Sequence, residues 1–589
     1  MFRNARTLTT TTGIDLGYHL AATPDGGTSY DRRCRIIFSH ETVPLMSFTS
    51  AVAGSGRRTL VLGAFIAAAS ACATAQGIPR EGQAGRPSLV VFITIDQMRA
   101  DYLERFGGQL TGGLQRLMTG GALFRNGVHD HAITETAPGH SVTMSGRFPV
   151  HTGIVMNSLG VNDVPNAQVL GARPGESASP ERFNGTTLTD WLRTANRATK
   201  WLSVSRKDRG AILPIGKSKG DVYWYSPSGE FTTSKYYADS LPTWVQAFNA
   251  LRIPQSYAGK KWELLKNAAS YSEADTVGIE ANSVGGDVTF PHSAPTVPAQ
   301  AAASFAAFPW MDELTLRLAV TGMRTLKLGA DPGRTDVLAV SLSTLDAIGH
   351  RFGPDSREVH DQVLRLDQYL GAFLDSLEAI RGVGTFVVAL TSDHGTSPPP
   401  TLKSAIYPNG DAKRVSLEMP WRAFQQRLVD AGIDSSSFAI DDGLVIVMKP
   451  GTFGGVRGGA DGLLGGLARD FMRMQGVLRV DLMTNLAKAD TVNDTIARRW
   501  LHMFSPQSNV RLIATLTPYS YWLPVAYSTH GSPHDSDAYV PVIFWGAGVV
   551  PGQYTNAVRV VDMAPTLAAI LGVKPTEALD GRVLTQVIR

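Results

Sequence analysis

Leu89-Val90-Val91-Phe92-Ile93-Thr94-Ile95-Asp96 is the stretch on which the reading of this chain turns. An apolar, β-branched run of strand length ends in a carboxylate. The arrangement recurs. Residues 337–342 form a similar run that leads to Asp346 and His350, and residues 386–390 lead to Asp393-His394-Gly395. A fourth group, Ser528-Thr529-His530-Gly531-Ser532, stands before the apolar run 540–545. Open α/β sheets bind ligands outside the carboxyl ends of their strands, so three strand ends bearing Asp and His point to one crevice. Hard carboxylate oxygens and imidazoles, without thiolates, suit Zn²⁺ held for catalysis. The pattern predicts a two-metal hydrolase.

Helical patterns lie between these runs, the alternation that builds a mainly parallel sheet. From Ser356 to Leu377, apolar Val359, Val363, Leu366, Leu370, Phe373 and Leu377 recur at steps of three and four, an amphipathic crossover helix. The expected fold is α/β: a mainly parallel central sheet with helices on both faces. Val561-Asp562-Met563-Ala564-Pro565-Thr566-Leu567 begins a last helix that closes it. Two stretches break the alternation. Residues 211–308 are rich in Tyr, Trp, Ser, Pro and Gly, and residues 400–520 mix Gly-rich runs with separate αβ segments. Both read as inserted lid segments over the core. The expected organisation is an upstream and signal region at 1–75, a polar linker at 76–87 and one domain at 88–589.

The composition is that of a soluble globular protein, with 18% charged and 43% hydrophobic residues in 589. A net charge of +4 without a clustered basic run gives no case for nucleic acid. Arg57-Arg58 has a local meaning instead. It precedes a short apolar segment, residues 59–69, and Ala73-Thr74-Ala75, the small-x-small pattern of a signal-peptidase site. Cleavage is expected near Ala75, with a periplasmic or secreted bacterial product and no transmembrane span in the mature chain. Met46 is an alternative start, and residues 1–45 carry no fold signal. Both cysteines, Cys34 and Cys72, precede the cleavage site, so the mature chain has no disulfide and no Cys metal site. Ala69-Ser70-Ala71-Cys72 loosely matches a lipoprotein signal, which makes a lipid anchor at Cys72 the alternative.

Thr134-Glu135-Thr136-Ala137-Pro138-Gly139-His140 is the second key motif. Pro138 fits the first turn of a helix and puts Thr136 at or beside its N-cap. Backbone N–H groups and the helix dipole favour an anion there. A threonine hydroxyl becomes a nucleophile only when a base or a metal strips its proton; otherwise it simply caps the helix.

In this order, Asp96, Thr136, Asp346-x-x-x-His350, Asp393-His394 and His530-Gly531 resemble the alkaline phosphatase superfamily, from about Leu89 to the C-terminus. Residues 95–99, Thr136-Ala137-Pro138-Gly139-His140 and Lys207-Asp208-Arg209-Gly210-Ala211-Ile212-Leu213-Pro214 resemble a narrower group within it. These are the threonine-nucleophile, phosphate-irrepressible alkaline phosphatases, related to type I phosphodiesterases and nucleotide pyrophosphatases. The resemblance implies two Zn²⁺ ions. Asp346, His350 and His530 would hold one; Asp96, Asp393, His394 and the Thr136 oxygen would hold the other. Such a pair clamps the attacking and leaving oxygens of an in-line displacement.

The resemblance also makes Thr136 the nucleophile, and Asn157, Lys207 and Arg209 the groups that bind substrate phosphate. Fixed Lys and Arg charges favour a phosphate monoester dianion, so small-molecule phosphate monoesters are the expected substrates. A diesterase relative would lack the Lys–Arg pair, and a sulfatase would need Arg where His140 stands. An inactive binding module would have lost ligands, and none is lost here. Of 13 histidines only three enter the ligand set. His129, His131, His140, His151, His360 and His534 stay outside it, with His140 and His534 expected nearest.

Overall fold

Strand Leu89–Ile95 lies at the centre of the sheet and is buried along its whole length. It pairs in parallel with Asp336–Leu342 on one side and Phe386–Thr391 on the other. A computed structural model describes residues 86–165, 167–276, 288–400, 412–524 and 528–589. The export segment, both cysteines, Met46 and residues 401–411 of the second expected insertion lie outside the described residues. No described helix is long and apolar enough to cross a membrane.

Ten strands form the main sheet. Its order is Gly552–Tyr554, Ala122–Val128, Tyr539–Gly546, Phe386–Thr391, Leu89–Ile95, Asp336–Leu342, Trp201–Ser205, Asp221–Ser226 and Glu230–Thr232, with Val558–Arg559 also against Ala122–Val128. Most pairings are parallel. Tyr539–Gly546 is the exception at the centre, antiparallel to both neighbours. Its start therefore lies at the edge where neighbouring strands end, and that reversal brings His530 to the crevice.

Side chains on a strand alternate between faces. Leu89, Val91, Ile93 and Ile95 pack with helices Gly113–Gly120, Trp310–Leu326 and Arg357–Arg381. Val90 and Phe92 face the other layer, built from Leu188–Ala195, Asp208–Ile212 and Met563–Ile570. Helix Arg357–Arg381 starts where Ser356 accepts a hydrogen bond from Val359 N (3.2 Å), and the whole apolar series read from the sequence is buried along it.

The two stretches that break the alternation differ in character. Residues 211–308 begin inside the core, because Asp221–Ser226 and Glu230–Thr232 extend the main sheet beyond Trp201–Ser205. Only later residues lie across the helices, anchored where Trp262 Nε1 and Tyr271 OH donate to Asp361 at 2.7 and 2.6 Å. Residues 400–520 contain a separate four-stranded antiparallel sheet, ordered Phe438–Asp441, Leu444–Val447, Val510–Leu516, Val477–Leu482, with its own apolar core. A smaller cluster, including Ile133, Met156, Leu444, Met483 and Trp500, joins it to the loops around Thr136.

Candidate active site

Asp96 follows its strand directly and is fully buried. The chain turns at Gln97, whose φ of +68° is in the left-handed region. Gln97 N donates to Asp393 Oδ1, and its Nε2 donates to Asp346 Oδ1, both at 3.1 Å. One residue thus spans two expected ligands. Asp346 and His350 lie one turn apart on helix Thr344–Phe352, with His350 Nε2 3.2 Å from Asp346 Oδ1. His530 Nε2 lies 3.6 Å from the same oxygen. His394 Nε2 is 3.4 Å from Asp96 Oδ1 and 3.5 Å from Asp393 Oδ2.

The three imidazoles are oriented alike. Nδ1 of His350 faces Ser528 O at 2.7 Å, that of His530 faces Thr134 O at 2.8 Å, and that of His394 faces Gly395 O at 2.9 Å. A carbonyl can only accept, so each Nδ1 carries the proton and donates. Each Nε2 is left turned to the carboxylates, the orientation metal-binding histidines take. Asp346, His350 and His530 place ligand atoms within 4.8 Å of one another, and so do Asp96, Asp346 and His394. Asp346 is therefore shared between the two groups, a position the sequence reading did not assign. Asp393 adjoins the second group through His394.

Thr136 is the first residue of helix Thr136–Thr143 and is buried. Its Oγ1 accepts from Lys207 Nζ at 3.1 Å. The helix presses closely on the ligand loop: a Cβ on Gly139 would stand 2.1 Å from Asp393 O, so only glycine fits. Asn157 Oδ1 accepts from Ala137 N (2.8 Å), and Asn157 N donates to Glu135 Oε2 (2.6 Å). Lys207 follows strand Trp201–Ser205; its ammonium lies 2.6 Å from Asp96 Oδ2 and 2.7 Å from Asp346 Oδ2. Arg209 is half-buried on helix Asp208–Ile212, with Nη1 3.6 Å from Asp208, and its charge also acts on Glu135.

Burial raises the Asp96 carboxyl above its ordinary range, helped by the charges of Asp346 and Asp393. Asp346 goes the other way: burial opposes, but Lys207 and His350 hold it well below that range. His140 and Lys207 likewise overcome burial at Asp393. Burial, then His530, holds His394 in its neutral form. Three buried carboxylates pulled in opposite directions form a site built to meet cations.

Gln97 and Arg206 are site residues that sequence reading passed over. Gln97 was visible beside Asp96 but nothing in one sequence marks a side chain that bridges two ligands. Arg206 Nη2 lies 3.7 Å from Asp346 Oδ2; adjacency to Lys207 was its only signal. His140 touches the site, with Nδ1 2.9 Å from Thr136 O and 3.1 Å from Asp393 Oδ2. His534 does not reach it and instead meets Leu516 O at 2.8 Å.

A mainly parallel sheet with carboxylates, imidazoles and a helix-initiating threonine at its carboxyl edge defines a phosphoesterase of the alkaline phosphatase superfamily. Residues 90–437 match the type I phosphodiesterase / nucleotide pyrophosphatase family model, and the chain belongs to that family. Among its relatives, alkaline phosphatase PhoV of Synechococcus elongatus is 32% identical over 523 residues, 86% of this chain and 93% of that protein. Alkaline phosphatase PhoK of Sphingomonas is 30% identical over 521 residues, 85% and 91% of the two chains. The crystal structure of alkaline phosphatase PafA superposes with a TM-score of 0.78 at 26% identity, covering 86% of this chain and 99% of that one. A mutant of PafA has also been solved, altered at a threonine and an asparagine 21 residues apart and at a lysine and an arginine two apart. Thr136 with Asn157, and Lys207 with Arg209, have the same spacings.

Proposed function

We propose that this protein is a secreted, zinc-dependent phosphomonoesterase that works through a phosphothreonine intermediate. One observation carries the reading: the Lys207 ammonium touches Thr136 Oγ1, Asp96 and Asp346 at once. Nucleophile, cation and ligand carboxylates share a single point. The residues fit a metal pair. Asp96 Oδ1 and His394 Nε2 are buried without a hydrogen bond, and all three expected histidine ligands offer Nε2. Asp346, His350 and His530 would hold one Zn²⁺, and Asp96, Asp393, His394 and Thr136 Oγ1 the other. Bound there, the ions would lower the pKa of the Thr136 hydroxyl and stabilise the attacking and leaving oxygens.

The chain supplies the rest. Thr136 Oγ1 forms a bond to phosphorus as the ester oxygen leaves; water then cleaves the phosphothreonine and regenerates the hydroxyl. Asn157 spends its carbonyl oxygen on Ala137 N, which leaves its amide N–H groups to donate to phosphate. Lys207 and Arg209 meet the remaining charged oxygens of a monoester. Export rests on Arg57-Arg58, the apolar segment and Ala73-Thr74-Ala75; the mature N-terminus expected is Gln76, or a lipid-bearing Cys72 in the alternative.

A phosphodiesterase is the competing reading, favoured by the family description and by Arg209 lying off the carboxylate cluster. A matched aryl phosphate monoester and diester separate the two. Wild type should prefer the monoester in kcat/KM, and Lys207→Ala/Arg209→Ala should lose monoester turnover far more than diester turnover. A wild-type preference for the diester, or equal losses on both, would move the assignment to phosphodiesterase.

A further inference from the structure

A second crevice opens at the carboxyl edge of the same sheet. It lies where strand Ala122–Val128 ends and Tyr539–Gly546 begins, and it encloses about 850 Å³. Arg498, Arg499, Arg559 and Arg582 line it, against the carboxylates of Asp130 and Asp535. A third carboxylate, fully buried Asp562, backs Arg559 at 3.2 Å and Arg582 at 3.9 Å. His534 in the wall adds no charge, because burial holds its pKa below the ordinary range. Positive charge exceeds negative.

The guanidinium groups are positioned but not saturated. Asp130 accepts from Arg498 Nε at 3.0 and 3.1 Å, yet its Oδ1 stays 3.8 Å from Arg499 Nε. That Nε belongs to a residue only 3% exposed and makes no hydrogen bond. A buried N–H without an acceptor is costly, and a shift of the guanidinium that turned it toward an anion in the crevice would recover the cost. Arg582, its side chain 67% exposed, contacts Asp562 only at 3.9 Å. Arginine forks match the oxygens of a tetrahedral anion. An apolar or cationic occupant would satisfy none of these donors.

We propose that this crevice is a non-catalytic binding site for a tetrahedral oxyanion of the inorganic phosphate class. One wall is the segment just after His530: Arg499 Nη1 donates to Pro533 O (2.6 Å) and Nη2 pairs with Asp535 (3.0 Å). A bound anion competes with Asp535 for Arg499 and so acts on the segment that carries His530.

The test titrates metal-loaded full-length protein with inorganic phosphate by calorimetry. Wild type should bind two equivalents. Arg582→Glu, a surface change, should remove one of them or weaken it at least tenfold, while kcat/KM on an aryl phosphate stays within twofold; Arg498→Gln should repeat the result. Lys207→Ala/Arg209→Ala should weaken the other equivalent only. A single equivalent in wild type, two unchanged equivalents in both arginine variants, or a loss of turnover that tracks the lost binding would each overturn the proposal.

Discussion

Nζ of Lys207 lies 2.7 Å from Oδ2 of Asp346. Both are almost fully buried, at 8% and 3% exposure. Removing one partner of such a pair leaves an uncompensated charge in a poorly solvated place. Substitution of Lys207 therefore acts on Asp346 as well as on the phosphate contact proposed for it, so its effect is to be compared with that of Arg209, which makes no contact with Asp96 or Asp346 among the described contacts.

Thr136→Ala should lower kcat on the order of 10³-fold or more, because the attacking oxygen is gone while the Asp and His side chains expected to hold the metals remain. Thr136→Ser keeps a hydroxyl at the helix start and should retain part of the activity. Acid quenching during turnover of labelled substrate should place phosphate on Thr136. Near-normal kcat in Thr136→Ala would sink the nucleophile assignment.

Metal content is checked by elemental analysis of protein purified without chelator, which should find about two zinc per chain. Chelation should abolish turnover and lower the melting temperature, since ions bound to the native state would offset repulsion among Asp96, Asp346 and Asp393. Zinc should restore both. Full activity with no transition metal would end the reading.

Arg206→Gln removes a half-buried cation 3.7 Å from Asp346 Oδ2. No hydrogen bond joins the two, so a moderate cost is expected, roughly tenfold in kcat/KM, or about 1.4 kcal/mol. Loss of Lys207 should cost more, on the order of 10²–10³. An unchanged kcat/KM would make Arg206 a packing residue only.

Burial raises the Asp312 carboxyl to about 6. Its native form then holds a proton more tightly than the unfolded chain does, so stability falls as pH rises from about 4 through 6. Asp312→Asn removes the charge. Its oxygen can still accept from Thr344, and Gln362 can turn its buried, unpartnered Oε1 toward the new amide. With chelator present throughout, the variant should be more stable than wild type at pH 8, by up to roughly 3 kcal/mol, with the gain fading by about pH 4. Denaturant midpoints at both pH values measure it; an equal gain at both would refute the titration of Asp312.

The fold class, and the gathering of the expected ligands at one sheet edge, were legible because local rules act on short stretches. Buried parallel strands demand continuous apolar runs, and the residues just past them have nowhere to go but the carboxyl edge; Asp96, Asp346 and Asp393 follow from that. Helical spacing put Asp346 and His350 on one turn. Tertiary structure decided the rest. Only sheet pairing makes Tyr539–Gly546 antiparallel and so delivers His530 from the amino end of its strand. Asp221–Ser226, whose Val-Tyr-Trp-Tyr suits a strand, joins the main sheet although it lies in a stretch read as an insertion; its parallel neighbour is set by long-range pairing, not by local periodicity. The bridge from Gln97 to Asp346 spans 249 residues of chain, and Arg206 finds Asp346 across a gap of more than a hundred. Contacts of that range depend on packing and on shared burial of charge, which no pattern of neighbours in one sequence encodes.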